Sequence, residues 1–110
     1  MADSAATTRL RTLVDGPRDG ALLRMSLANA LLADGDADEA LVQLRRALQF
    51  DADYSAAWKL LGRLLTERGD ANAAADAWRA GMAAAEKRGD KQALREMQVF
   101  LRRLQKAAPG

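Results

Sequence analysis

The 110-residue sequence contains neither cysteine nor histidine. Without cysteine there can be no disulfide, no thiolate zinc site and no cysteine nucleophile. Without histidine the commonest general base and a common metal ligand are missing. No glycine-rich phosphate loop, serine elbow or HExxH motif takes their place. The sequence therefore predicts a protein that is not an enzyme, with no catalytic residues, no metal site and no cofactor.

Long apolar runs are also missing from the sequence. No stretch approaches the roughly 20 residues that a helix needs to cross a bilayer. The first eight residues combine no basic segment with an apolar one, as a secretory signal would. We expect a soluble cytoplasmic protein that does not bind membranes.

Proline and aromatic residues are scarce, with two prolines, two tryptophans, two phenylalanines and one tyrosine. Pro17 and Pro109 lie outside any segment that needs to be a helix interior. What remains is rich in alanine, leucine and charged residues, which lose little on entering a helix. The length allows one domain at most. The sequence predicts a single all-α domain over residues 1–110.

Charge is distributed unevenly along the chain, although the net charge is only +2. Residues 88–110 carry six basic and two acidic side chains, so the preceding part is slightly acidic. A basic end raises the question of nucleic acid binding. The small total charge and the lack of a recognition module argue against it, and no nucleic acid partner is expected.

Leucines recur at a spacing of 34 residues in the middle of the chain. Leu27 and Leu31, which share one helical face, are followed at this spacing by Leu61 and Leu65. The same spacing relates small and large residues that suit the contacts between packed helices. These further pairs are Ala28 with Gly62, Ala40 with Ala74, Leu44 with Trp78, and Ala47 with Gly81.

A glycine–aspartate pair follows each leucine pair, as Gly35-Asp36 and as Gly69-Asp70. Glycine suits the positive φ that ends a helix, and aspartate suits the N-cap of the next one. The acidic stretch 34–39 contains the first pair. We interpret it as a helix junction, because it lacks the 12-residue frame of a calcium loop.

These matches resemble the tetratricopeptide repeat family, whose unit is a 34-residue pair of antiparallel helices, A and B. Repeat one spans 21–54 and repeat two spans 55–88. Repeat two fits the family pattern better, beginning with Trp58 at repeat position 4, and both tryptophans occupy core positions. The departures from the pattern are Arg24 and Ala52 in repeat one and Glu86 in repeat two.

The flanks are similar to partial units. The segment 4–15 resembles a preceding helix B that is stopped by glycine and proline. In 91–107, Leu94, Met97 and Leu101 align with the large positions of helix A at an offset of 36 residues. Gln98 stands at the small position, which predicts a capping helix that ends the array. The resemblance implies a short right-handed solenoid of six helices, near 4–15, 19–34, 37–49, 53–68, 71–87 and 91–107.

In this family, helix A of each repeat lines a concave groove through repeat positions 2, 5, 9 and 12. Carried over, the groove runs from apolar in repeat one to basic in the last helix. This gradient predicts an interaction scaffold whose partner is a protein or peptide with acidic and apolar character. Solvated charges on an exposed face are the alternative. The candidate partner-binding residues are Met25, Asn29, Leu32, Lys59, Arg63, Arg95, Val99 and Arg102.

Two related hypotheses concern the same surface. The clamp with which some relatives hold a C-terminal carboxylate is not reproduced, because Asn29 is its only matched residue. The second hypothesis is a self-associating assembly module, a homodimer formed through an open end or through Met25 and Leu32. These two side chains lie off the core stripe, where they are either exposed or buried against the N-terminal helix.

Overall fold

A computed structural model of the protein describes residues 3–107. These residues form six α-helices and no strand, which confirms the all-α prediction. The described chain divides between Ala52 and Asp53 into two compact units, here called the N-terminal unit and the C-terminal unit. That 1–110 is a single domain stays a prediction. The helices are α1 (Ala5–Arg11), α2 (Ala21–Ala33), α3 (Ala37–Phe50), α4 (Ser55–Glu67), α5 (Ala71–Arg88) and α6 (Lys91–Ala107).

The N-terminal unit is an α2–α3 hairpin against which α1 packs. Leu27, Leu31 and Leu44 are completely buried, as are the small residues Ala28 and Ala40. These are the positions that the 34-residue pattern assigned to the helix contacts. The small residues let the two helices approach, and the leucines supply most of the buried apolar surface.

Both repeats turn between their helices in the same way. Gly35 and Gly69 have φ values of 82° and 80°, which only glycine adopts at little cost. The next aspartate then caps the following helix, since Asp36 accepts from the backbone N–H of Glu39 and Asp70 from that of Ala73. The predicted junctions are confirmed in both position and chemistry.

The C-terminal unit is an α4–α5 hairpin with α6 packed on α5 and also touching α4. Its closest helix contacts are made by glycine against large side chains. A Cβ atom on Gly62 would overlap the indole of Trp78. A Cβ atom on Gly81 would lie 2.5 Å from Met97 Sδ and 2.7 Å from Trp58 Cβ. The matched small positions are therefore required by packing.

The first helix is shorter than predicted, because it ends at Arg11 instead of near residue 15. The backbone N–H groups of Asp15 and Gly20 both donate to the carboxylate of Asp19, over 2.9 and 2.8 Å. Asp15 itself has a φ of 65°, which breaks helical winding. Asp19 therefore organises the α1–α2 connection.

Arg24, the departure at repeat position 4, is buried, with 4% of its surface exposed. Its guanidinium bonds Asp19 at 2.8 and 2.7 Å and Gln43 at 2.9 Å, and lies 5.9 Å from the ring centroid of Phe50. The hydrogen bonds from Arg24 hold the pKa of Asp19 well below its usual range. A paired charge thus fills the place that an aromatic residue takes in repeat two.

Candidate functional site

Three candidate residues lie on α2 in the N-terminal unit. Met25 and Leu32 are half-buried, and Asn29 is exposed. The most exposed large apolar side chain nearby is Leu22, three residues before Met25, at 72%. The α2 surface therefore offers a partly apolar strip with one amide.

Two further candidates lie on α4 in the C-terminal unit, and each meets a carboxylate of the chain. Lys59 Nζ lies 3.3 Å from Glu96 Oε2 on α6. Arg63 Nε lies 3.7 Å from Glu67 Oε2, one turn further along α4. The Lys59–Glu96 pair shows that this face of α4 is turned toward α6. Neither acidic partner was singled out from the sequence.

The last candidates, Arg95, Val99 and Arg102, lie on α6. Both arginines are exposed, and Val99 is 37% exposed. Arg95 Nε donates to the carbonyl oxygen of Lys91 in the preceding turn, over 3.4 Å. After Glu96 the remaining α6 residues, 97–107, include no acidic side chain. Basic character is therefore concentrated in the second half of α6.

The basic residues on α4 and on α6 differ in the charges around them. Lys59 and Arg63 are partly screened by Glu96 and Glu67, whereas the C-terminal half of α6 has no acidic residue of its own. Exposed pairs of this kind contribute only about 0.2–1 kcal/mol. They can therefore be exchanged for pairs with another molecule at little cost.

A small pocket in the C-terminal unit was not predicted. Its volume is about 250 Å³, and the surface that it exposes is apolar. The sequence held one indication of this pocket. Phe100 and Leu104 are large apolar residues one turn apart on α6, and both lie beside the positions that the repeat pattern assigns to the core. The lining residues are Thr66, Trp78, Phe100, Arg103, Leu104 and Ala107.

The acidic stretch 34–39 serves the N-terminal unit itself. Asp34 accepts from the backbone N–H of Ser4 at 3.0 Å and from the hydroxyl of Thr7 at 2.6 Å, and these bonds lower its pKa. The guanidinium of Arg11 donates one hydrogen bond to each carboxylate oxygen of Glu39, and these bonds lower the pKa of Glu39. These contacts fix α1 to the hairpin. Within residues 3–107 no group of three or more potential metal ligands comes together.

Known proteins match both the sequence and the fold of this chain. A tetratricopeptide repeat profile matches residues 21–64. The TPR repeat-containing protein PA0015 of Pseudomonas aeruginosa is 48% identical over 89 residues, which cover 81% of this chain and 85% of that protein. The chain belongs to the tetratricopeptide repeat family.

Solved structures agree with this assignment. The tetratricopeptide repeat chain matches protein BPP2914 of Bordetella parapertussis with a TM-score of 0.78 and 46% identity, over 94% of this chain and 90% of that one. A tetratricopeptide repeat domain protein of Salinibacter ruber has a TM-score of 0.79 at 24% identity, over 87% and 96%. The second match shows a shared fold alone.

Membership of the family carries a general function. The tetratricopeptide repeat fold generally mediates protein–protein interaction, and its members are typically non-enzymatic scaffolds. None of the helices within residues 3–107 combines the length and apolar character that a membrane crossing requires.

Proposed function

We propose that this protein is an interaction scaffold that binds a peptide segment of another protein through the first helices of its repeats. The observation that carries the proposal is that Arg63 on α4 and Arg95 and Arg102 on α6 are all exposed, on two helices that the Lys59–Glu96 pair joins. Arginine is suited to this role, because its planar fork binds carboxylates through two parallel hydrogen bonds. The partner segment is acidic where it meets these helices.

The Lys59–Glu96 pair supports a binding role for the surface between α4 and α6. It joins the two helices at half-exposed positions, and Arg63, one turn from Lys59, lies on the same side of α4. A segment bound there can therefore meet residues of both helices. In the N-terminal unit, Met25 and Leu32 with Asn29 offer contacts for an apolar portion of the partner.

Charge reversal tests this proposal. The double variant Arg63→Glu/Arg102→Glu should lose proteins that the wild type captures from its native lysate, while circular dichroism stays unchanged. The matched control is Arg79→Glu, since Arg79 is an exposed arginine on α5 of the same unit. Equal recovery of partners by the wild type and the double variant would reject the α4–α6 surface.

A more specific variant separates charge from structure. Exchanging the residues of the cross-helix pair, as Lys59→Glu/Glu96→Lys, keeps the ion pair and the net charge. If Lys59 only supports the fold, this exchange should preserve partner capture. If Lys59 itself binds the partner, capture should weaken without a loss of thermal stability.

Self-association is the second candidate function. The observation that favours it is the 72% exposure of Leu22 on α2, one turn from the half-buried Met25, because apolar side chains that remain exposed can mark interaction surfaces. Sedimentation equilibrium over a wide concentration range should detect a dimer that Leu22→Ser abolishes. A monomer at every concentration would reject this candidate.

A further inference from the structure

The pocket at the C-terminal half of α6, here called the α6 pocket, has an aromatic wall. The rings of Trp78 and Phe100 lie with their centroids 5.5 Å apart and their planes tilted by 39°. Trp78 is 4% exposed, so its indole is fixed by the core, while Leu104, one turn from Phe100 on α6, is half-buried. The pocket is therefore a firm apolar depression.

One basic side chain belongs to this apolar depression. Arg103 lines it and is itself exposed. Lys106 lies in the last turn of α6, where the helix dipole favours a cation, and no acidic residue of α6 follows Glu96. An apolar group that enters this pocket is accordingly placed beside the guanidinium of Arg103, on a helix end that carries no carboxylate.

The size of the pocket restricts what it can hold. Sites for small molecules and cofactors usually enclose about 300–1,000 Å³, and this pocket measures about 250 Å³. Protein interfaces, in contrast, are commonly anchored by single large side chains that fill pockets of this kind. A free inorganic anion would leave the aromatic and leucine walls unused.

We propose that the α6 pocket receives one large apolar side chain of a partner peptide whose neighbouring residues are acidic. The side chain packs against Trp78, Phe100 and Leu104, and a neighbouring carboxylate pairs with Arg103. This inference rests on the proposed function, since it names the anchor by which a bound segment is held. It assigns a role to residues outside the predicted groove positions.

Trp78 allows occupation of the pocket to be observed directly. In the Trp58→Phe variant, Trp78 is the only tryptophan, so the fluorescence signal comes from the pocket wall. The probe is a short synthetic peptide, acetylated and amidated, with one leucine flanked by glutamates on both sides. Two control peptides carry lysine in place of glutamate, or serine in place of leucine. Only the first peptide should shift the Trp78 emission and give a saturable titration at low salt.

Two substitutions made in the Trp58→Phe background should weaken that titration for different reasons. Arg103→Glu places a like charge against the peptide and should raise Kd at least about fivefold. Thr66→Phe should fill the pocket without changing any charge and remove the emission shift. Arg79→Glu, on α5, should leave Kd unchanged. Circular dichroism and the melting temperature verify that each variant is folded.

The outcomes separate this inference from the proposed function. If Arg63→Glu/Arg102→Glu loses the lysate proteins that the wild type captures, but the leucine peptide does not shift the Trp78 emission or binds Thr66→Phe with unchanged affinity, the pocket is not the anchor and the inference alone is overturned. If neither the peptide nor any lysate protein binds the wild type, both fail. A Trp78 shift that depends on protein concentration without peptide identifies a second copy as the occupant, which also overturns the inference.

Discussion

Repeat position 4 is Arg24 in the N-terminal unit and Trp58 in the C-terminal unit. Arg24 is held by Asp19 and Gln43 within a buried set of hydrogen bonds. Trp58 packs its Cβ atom close to Gly81. The same place in the same hairpin can thus be filled by a paired charge or by an aromatic ring, provided that every polar group finds a partner.

The residues between helix A and helix B also differ between the N-terminal unit and the C-terminal unit. The N-terminal unit combines Ala28 with Leu44, and the C-terminal unit combines Gly62 with Trp78 at the matched positions. A smaller residue on helix A accompanies a larger one on helix B. The two hairpins thus accept different residues at matched buried positions, since close packing requires that the space between the helices be filled and not that either residue be kept.

The largest expected effect tests whether the two units share one register. Leu27→Ala and Leu61→Ala should each lower the free energy of unfolding by about 2–5 kcal/mol, because both leucines are buried and truncation leaves a cavity. Urea unfolding followed by circular dichroism measures the loss. A variant as stable as the wild type would show that its leucine is outside the core and that the 34-residue register fails there.

The next largest effect tests whether Gly62 is required because Trp78 is large, in contrast to Ala28 and Leu44 at the matched positions. Gly62→Ala should cost about 1–3 kcal/mol, because its Cβ overlaps the Trp78 indole. In a Trp78→Leu background, which reproduces the Ala28–Leu44 combination, the same change should become neutral or stabilise by up to about 1 kcal/mol. A similar cost in both backgrounds would mean that the indole is not what excludes a side chain at this position.

The buried ion pair of repeat one, between Arg24 and Asp19, should make the thermal stability of the protein depend on pH. Arg24→Met should lower the melting temperature by several degrees at pH 7. Asp19 has a folded pKa below its unfolded value of about 3.9. Its contribution is therefore present above about pH 4 and is lost as the pH falls toward the lower folded pKa.

The difference in melting temperature between the wild type and Arg24→Met should accordingly become smaller below about pH 4. Asp34 and Glu39 also have lowered pKa values, but their main bonds, with Ser4 and Arg11, are the same in both proteins and contribute little to the difference. Thermal unfolding at pH 7, 4 and 3 checks this. If the difference in melting temperature stays constant over that range, Arg24 stabilises the unit by packing and not by its ion pair.

The smallest effect concerns the exposed surface of the C-terminal unit. Arg63→Ala should change stability by no more than about 0.5 kcal/mol, since its i, i+4 pair with Glu67 is solvent-exposed. Chemical denaturation of the wild type and the variant gives the upper limit of this change in the free energy of unfolding. A loss above about 1 kcal/mol would indicate that Arg63 belongs to the fold, and its role in partner binding could not then be tested by substitution.

Much of the fold was predictable because it depends on residues that are close in sequence. The helices follow from local composition, and the Gly35-Asp36 and Gly69-Asp70 turns follow from backbone geometry. The 34-residue spacing then placed the buried leucines and the small contact positions. The conformation of the α1–α2 connection was not predictable, since it depends on how Asp19 bonds the backbone of Asp15 and Gly20.

The candidate site was predictable only as a set of positions. The resemblance to the family implied that the arginines of α4 and α6 lie on the surface, but it could not reveal that Glu96 reaches Lys59 across 37 residues of sequence. The α6 pocket was equally hidden. Its walls come from three helices, and the space between them depends on how far each helix is rotated and how closely it packs.

The sequence by itself determined the helical class, the repeat length and the residues that end and cap the helices, because each of these is a property of a few neighbouring residues. The tertiary structure alone decided how Arg24 is neutralised, which cations on α4 already have a partner, and that Trp78, Phe100 and Leu104 leave a pocket beside Arg103. These features need atoms from separate helices within a few ångströms of each other, and only the packing of the helices brings them there.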